Sequence, residues 1–514
     1  MHGSANTKTA TRWVRDARLA LRSALYDVAL EILAGCEDWP AAEAEAAILL
    51  NAEALGRRDP VEALAYLIGV EDVFASVEGR FGRDIEAGRL YAAVRDFDSA
   101  AARYGSARVL AGDVPDGAAT MAYHDVRMRW ARRDCDPAMP QIATALTHSD
   151  PSIVAAVYAY RGWHHAACGN YSAQVDDLSH ALACEPRGDE PIDVHTLATT
   201  VHALARVAFE TANEAGIAYA REVEETLAWT PDVAAHRFET LRAIGWDAFM
   251  RGESGRAQWT FKEARSIAPS PAWRVVAHVD RAYVARIARN EVWALEELSE
   301  ADRIARDVRW ESTVGEERGG LVMLATLYAP IDPGRAQRYA SAYSQIGVGG
   351  LNPAWSIAGD RRSVADARYA QGLIDLTLGR RDAAVPVLIE AYATYDGAQH
   401  HYRATLTAAA LAEATGEERW RAASIAHAGR YPSCPLATLA EDAVAREDAL
   451  PQRLSPLQRQ IARALVGGSD PADLSRRFSR SLYTIERQIV EIFGAFGVAS
   501  RGELLHEARA RGLA

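Results

Sequence analysis

Lysine is nearly missing from this chain: of 514 residues only Lys8 and Lys262 are lysine, and arginine carries almost all of the positive charge. A phosphate-binding loop needs Gly-Lys-Ser/Thr, and neither lysine stands in that context. Cysteine is scarce too. The five (Cys36, Cys135, Cys168, Cys184, Cys434) form no Cys-x-x-Cys pair and are odd in number, so they read as buried or incidental thiols of a reducing compartment. No apolar segment follows the polar opening 1–11, and no run approaches ~20 apolar residues, so neither a leader nor a membrane span is expected. The expected location is the cytoplasm. Aromatic residues are only 8% of the chain and alanine is abundant, a composition that favours helices. Strand alternation is absent between 10 and 445, which argues against a receiver domain of alternating strands and helices.

Catalytic and metal sites are equally hard to find. No Ser/His/Asp, Cys/His or paired-carboxylate set has a spacing that argues for catalysis, so neither an enzyme nor a cofactor is expected. His164 with His165, and His400 with His401, are adjacent, and adjacent helical residues point to different faces. His165 falls on a packing position of the repeat described below and reads as a core histidine. His195 and His202 lie seven apart on one face near Asp193, without a third ligand. Metal binding is therefore not expected. Trp246, Trp259, Trp273 and Trp293 could line a ligand groove, but hole-filling between helices is the simpler reading. Glu222, Glu224 and Glu225, and the pair Glu296–Glu297, read as solvated helix faces.

The net charge of −12 is unevenly spread: residues 451–514 hold ten Arg against six Asp and Glu, while the remainder holds 47 basic against 63 acidic residues. A small basic module on an acidic body suits nucleic-acid contact at one end.

An internal repeat emerges from spacing. Gly162, Gly169, Leu178, Ala181 and Pro186 have the same offsets as Gly245, Gly252, Phe261, Ala264 and Pro269. Gly372, Gly379, Leu388 and Ala391 repeat them, with Ala384 matching Ala257. Gly88, Ala100, Tyr104 and Ala107 give a copy without the second glycine. Ala282, Ala294, Leu298 and Ala301 give a fifth, and Trp13, Ala17, Ala29 and Leu33 suggest one near the start. Small residues let two helices approach, and the large one fills the hole. The pattern resembles the tetratricopeptide repeat, a helix-turn-helix unit of ~34 residues. The alternative is a long alanine-rich helical domain with accidental glycine spacing. Arrays of such units stack into a curved solenoid with a concave binding surface. The array is expected over 1–446, with Pro/Gly-rich breaks at 113–117, 185–191, 269–271, 347–353 and 431–435, followed by a linker at 447–453.

The last stretch, 454–514, reads as four short helices with tight turns. Ser455, Asp470, Ser481 and Ser500 can cap the starts, and Pro456 and Pro471 suit a first turn. Ser500 and Glu503 have capping-box spacing. Gly468 and Gly497 are placed to end helices in left-handed geometry. This is the grammar of a helix-turn-helix domain. Leu454-Ser455-Pro456, Gly468, Ser481-Leu482-Tyr483-Thr484-Ile485 and Phe496-Gly497-Val498-Ala499-Ser500-Arg501-Gly502-Glu503-Leu504 resemble, without a gap, the LuxR-type (GerE-like) DNA-binding domain. The chain departs from that family at Glu486, Gln488, Ala495 and Arg480, where Lys, His, Lys and an apolar residue are usual.

The resemblance implies an all-α transcription regulator. A tetratricopeptide-like solenoid would receive a protein, peptide or small-molecule signal, and the terminal four-helix domain would bind double-stranded DNA as a homodimer held by its last helix. The recognition helix is expected from about Leu482 to Phe496, with Ile485, Ile489, Ile492, Phe493 and Phe496 inward. Leu482, Tyr483, Thr484, Glu486, Arg487 and Val490 are then the candidates for the major groove, and Arg476, Arg477, Arg480 and Arg501 for phosphates. A second reading stays open. Glu486 and Ala495 subtract positive charge, and the chain could be a repeat scaffold whose terminal domain no longer binds DNA.

Overall fold

Most helices begin where the sequence supplies a cap. In the computed structural model Asp59, Ser76, Asp96, Asp150, Asn170, Asn213, Ser270 and Asn290 each accept a hydrogen bond from the first turn that follows. Each such cap satisfies an orphan backbone N–H and stabilises its helix by about 1 kcal/mol. The structure describes residues 3–510 except 36–38, 40, 133, 187–190, 289, 314, 350–360, 438–453 and 479. The expected linker 447–453 and Cys36 lie outside the described residues.

The chain is all-α, with no strand among the described residues, and is built of tetratricopeptide-like helix pairs. Typical pairs are Val77–Ala93 with Phe97–Leu110, Pro151–Ala167 with Tyr171–Leu182, Pro271–Ile287 with Glu291–Ala305, and Arg361–Thr377 with Arg381–Gly397. The glycine spacing has a direct physical meaning. A Cβ on Gly88 would stand 2.5 Å from Tyr104, on Gly245 2.9 Å from Phe261, on Gly372 2.5 Å from Leu388, and on Gly162 3.4 Å from Leu178. The large residue sixteen positions on thus lies against the bare backbone of the first helix. These four large side chains are almost fully buried. Removing each from water is worth about 1.5–3 kcal/mol.

Seven residues after the first small residue the chain turns in the left-handed region: Gly169 at φ +79°, Gly252 at +78° and Gly379 at +75°. Arg95 (+69°) does the same in the copy that lacks the second glycine, and so do Ala24 (+53°) and Ala212 (+54°). The Ala212 turn joins Val194–Glu210 to Glu214–Thr226, a further copy that the glycine pattern misses. Regularity lapses after residue 305. Two short 3-10 turns lead into Gly319–Tyr328, a helix in which every residue after Gly319 is buried.

The chain divides into two compact units, one of residues 1–209 and 213–244, the other of residues 210–212 and 245–514. In the first, contacts are not limited to successive repeats as in an open solenoid. Arg22 bonds Asp150 at 2.7 Å and the Pro191 carbonyl at 3.1 Å, and Thr230 donates to the Ala24 carbonyl at 3.1 Å. Ala17, Leu21, Leu33 and Leu50 share one core with Val194, Ala198 and Val233. The second unit also closes on itself. Trp246 packs on Tyr402 with ring centroids 5.0 Å apart, and His400 Nε2 lies 3.0 Å from a Glu210 carboxylate oxygen. Among the described residues no helix is long and apolar enough to cross a membrane.

Candidate nucleic-acid interface and inner surfaces of the array

The terminal helices of the second unit run Pro456–Val466, Pro471–Phe478, Leu482–Phe496 and Arg501–Ala510. Their caps follow from local chemistry. Ser455 forms a full capping box with Gln458, Asp470 accepts from Asp473 N at 2.7 Å, and Ser481 accepts from Thr484 N at 3.1 Å. Ser500 accepts from Glu503 N at 3.2 Å, while the Glu503 carboxylate reaches Ala499 N at 2.9 Å, one residue earlier than a standard capping box. Gly468 (+96°) and Gly497 (+74°) close their helices in left-handed geometry. Leu454, Ile461, Leu465, Leu474, Phe478, Ile485, Ile489, Ile492, Phe496 and Leu504 form the core, and Phe493 packs half-buried against it.

That packing leaves the other face of Leu482–Phe496 to solvent. Leu482 is 45% exposed, Tyr483 76% and Val490 68%, with Glu486 and Arg487 exposed beside them. Thr484 is half-buried, its hydroxyl 2.7 Å from Ser481 Oγ in the cap. The arginines are dispersed. Arg487 Nε lies 3.5 Å from Glu491, Arg476 pairs with Asp473, and Arg480 is exposed. Arg501 donates to the Leu465 carbonyl at 3.4 Å and so ties the last terminal helix to the first. Arg477 lies against the Phe478 ring with its Nε buried and without a hydrogen-bond partner. Burial, then the nearby Arg286, lowers its pKa. The first terminal helix reaches the array: Gln460 donates to the Leu376 carbonyl at 3.2 Å, and Arg463 lies 3.3 Å from Glu413.

The tryptophans do not form a shared groove. Trp246 is buried, donates to Asp280 at 2.9 Å and packs against Phe249, Phe261 and Tyr283. Trp273 is buried, Trp293 bonds Glu297 at 3.1 Å, and Trp259 is exposed. His164, rather than His165, is the fully buried member of its pair: its Nδ1 accepts from Asp136 N at 3.2 Å and its Nε2 donates to the Val126 carbonyl at 3.3 Å. The reason is the helix phase, which turns His164 toward the helix Gly117–Ala131 and leaves His165 half-buried, 3.7 Å from Asp177. His195 and His202 do meet a third ring, but it is His236, 5.4 and 5.7 Å from them between centroids. Sequence spacing gave no sign of it, because His236 comes from the next helix pair. Among the described residues no group of His, Cys, Asp and Glu has the arrangement of a metal site.

In the first unit the leading helices of successive pairs bring polar side chains together. Arg57 lies 3.6 Å from Glu53 and 4.0 Å from Asp193, Arg89 forks onto Glu86, and Arg127 donates to Tyr160 at 3.1 Å. Burial pushes the His195 pKa well down, and Arg57, His236, Arg89 and Arg127 push it the same way. Burial also pushes Tyr26 up to about 12. A separate cavity of about 400 Å³ is lined by Arg108, Met121, Asp125 and Gln141, but Arg108 is already paired with Asp125 at 2.7 Å.

No protein-family model matches the chain. No curated protein matches its sequence either. Solved structures do resemble it. A Rap protein in complex with competence and sporulation factor aligns at 13% identity over 72% of this chain and 100% of its own, with a TM-score of 0.42. The Naa15/Naa10 complex bound to HypK-THB aligns at 14% identity over 98% of this chain and 80% of its own, with a TM-score of 0.23.

Proposed function

We propose that the chain is a DNA-binding transcription regulator of LuxR type, in which residues 1–446 bind a regulatory protein, peptide or small ligand and residues 454–514 read double-stranded DNA. The observation that carries this reading is the uncovered face of Leu482–Phe496. Leu482, Tyr483 and Val490 stand exposed on one face of the helix beside Arg487. A face of that width suits the major groove, where apolar groups meet thymine methyls and an arginine forks onto guanine. Dimerisation through the last helix would give two-fold half-sites. The working compartment is the cytoplasm, and the protein acts by binding rather than by catalysis. Selection of genomic fragments with the purified full-length chain tests the reading. One recurrent duplex, lost with Arg487→Ala, is expected; random recovery would end it.

The scaffold reading is favoured by a different observation. Arg476 and Arg487 have carboxylate neighbours, Arg477 is tucked in, and Glu486 faces outward, so few cations remain for phosphates. Failure of every duplex, with the protein still folded, would leave this reading standing.

A further inference from the structure

Arg127, in the first unit, is a cation with no carboxylate beside it among the described residues. Its Nε donates to the Tyr160 hydroxyl at 3.1 Å, and its guanidinium carbon lies 5.4 Å from the Tyr123 ring centroid and 5.8 Å from that of Tyr160. The two terminal nitrogens meet no acceptor among the described residues. The aromatic wall beneath them is interlocked: Tyr160 meets Trp163 edge-on at 4.6 Å and Tyr123 at 6.1 Å. The His195 imidazole stands in the field of Arg127, Arg57 and Arg89, and its buried Nδ1 has no hydrogen-bond partner.

The charge balance around this point decides what would fit. Arg89 is matched by Glu86, and Arg57 by Glu53 and Asp193. No carboxylate among the described residues touches Arg127. Aromatic faces offset only part of the desolvation of a guanidinium that lacks a counter-ion, and a bound anion would offset more of it. The two terminal nitrogens of a guanidinium form a planar fork that matches an oxyanion bidentately. Aromatic ring surface beside the fork accepts the apolar part of a ligand.

We propose that Arg127 anchors a carboxylate-binding site in the first unit, taking the single negative charge of a small organic acid or of a peptide C-terminus on its free fork, against the wall of Tyr123, Tyr160 and Trp163. This deepens the sensing role proposed for the array and rests on it, but its test involves no DNA. A failed duplex selection therefore leaves it untouched.

The test uses thermal unfolding of the full-length chain at constant ionic strength. Probes are benzoate and acetyl-trialanine, their neutral amides, and inorganic phosphate. Saturable stabilisation by one carboxylate, with none from its amide, is expected, because a ligand that binds only the folded state raises Tm by mass action. A benzoate response points to a free organic acid, and a response to acetyl-trialanine alone points to a peptide terminus. Arg127→Met keeps the side-chain length and should weaken the response about tenfold or more, the loss expected for a charged hydrogen bond. Should that variant not fold, Arg127→Lys keeps the charge without the fork and should still weaken binding. Equal responses of variant and wild type, equal responses to acid and amide, or a response to phosphate alone would overturn the proposal.

Discussion

Gly372 faces Leu388 so closely that a methyl group on the glycine would stand 2.5 Å from the leucine's Cδ2. Gly88 bears the same relation to Tyr104, at 2.5 Å from the ring edge. Both large residues are buried, so neither can swing aside into solvent. Gly372→Ala should therefore cost about 1–3 kcal/mol through overpacking, despite alanine's better helix propensity. Denaturant titration of the full chain reads this directly. An unchanged or raised midpoint would show that the helices separate easily.

The turn at Ala212 makes the opposite demand. Its φ of +54° lies where a Cβ is strained and glycine is not, as Gly169 and Gly252 show at the matching place. Ala212→Gly should raise stability by about 0.5–1 kcal/mol after the added flexibility of the unfolded chain is counted. A lower unfolding midpoint would contradict the register.

Ile489 is 8% exposed and lies among Ile485, Ile492 and Phe496. Ile489→Asp buries a carboxylate with no partner, at a cost of at least about 3 kcal/mol. Hydrogen exchange should show Leu482–Phe496 unprotected while the first unit keeps its protection. Retained protection in that helix would mean its faces are reversed.

Two half-buried histidines give the protein a defined acid response. Burial, helped by His202, holds His236 at about 3, and burial, helped by His427, holds His401 at about 4. Both rings titrate near 6.5 once unfolded, so between those values the unfolded chain binds more protons than the folded one. Stability is therefore full above about pH 6.5 and falls as the pH drops toward 4. Unfolding midpoints measured from pH 7.5 to 4.5 should decline, and less steeply in a His236→Gln, His401→Gln double variant. A flat profile would show that these rings are reached by water.

Arg487 and Glu486 are neighbours on the exposed face but should act in opposite senses. Arg487→Ala should weaken the selected duplex by about 1–3 kcal/mol if the arginine reads a base. Glu486→Lys should change which duplex is preferred if the carboxylate reads cytosine, and should only raise salt-sensitive, sequence-blind binding if it repels phosphate. Titrations at two salt concentrations on selected and scrambled duplexes separate these cases.

How much of this was legible beforehand depended on whether the signal was local. The four terminal helices, their caps at Ser455, Asp470 and Ser481, and the left-handed Gly468 and Gly497 all rest on residues a few positions apart. A capping side chain must sit next to the N–H it satisfies, so short-range spacing is enough. The Gly/large/small offsets were readable for the same reason, since a hairpin's two helices are joined by a tight turn. The copy around Ala212 escaped because alanine stands where glycine would have marked the turn.

What the sequence by itself determined is the all-α class, the helix pairs marked by glycine spacing and the terminal helices with the faces they bury, because periodicity and capping are written in neighbouring residues. Only the tertiary structure decided what faces what across the array. It brought His236 to His195 and His202, carried Tyr402 back to Trp246, tucked Arg477 away from solvent, and left Arg127 among tyrosines with no carboxylate among the described residues beside it. Those meetings depend on small rotations accumulated over many helix pairs, and no local spacing records such a sum.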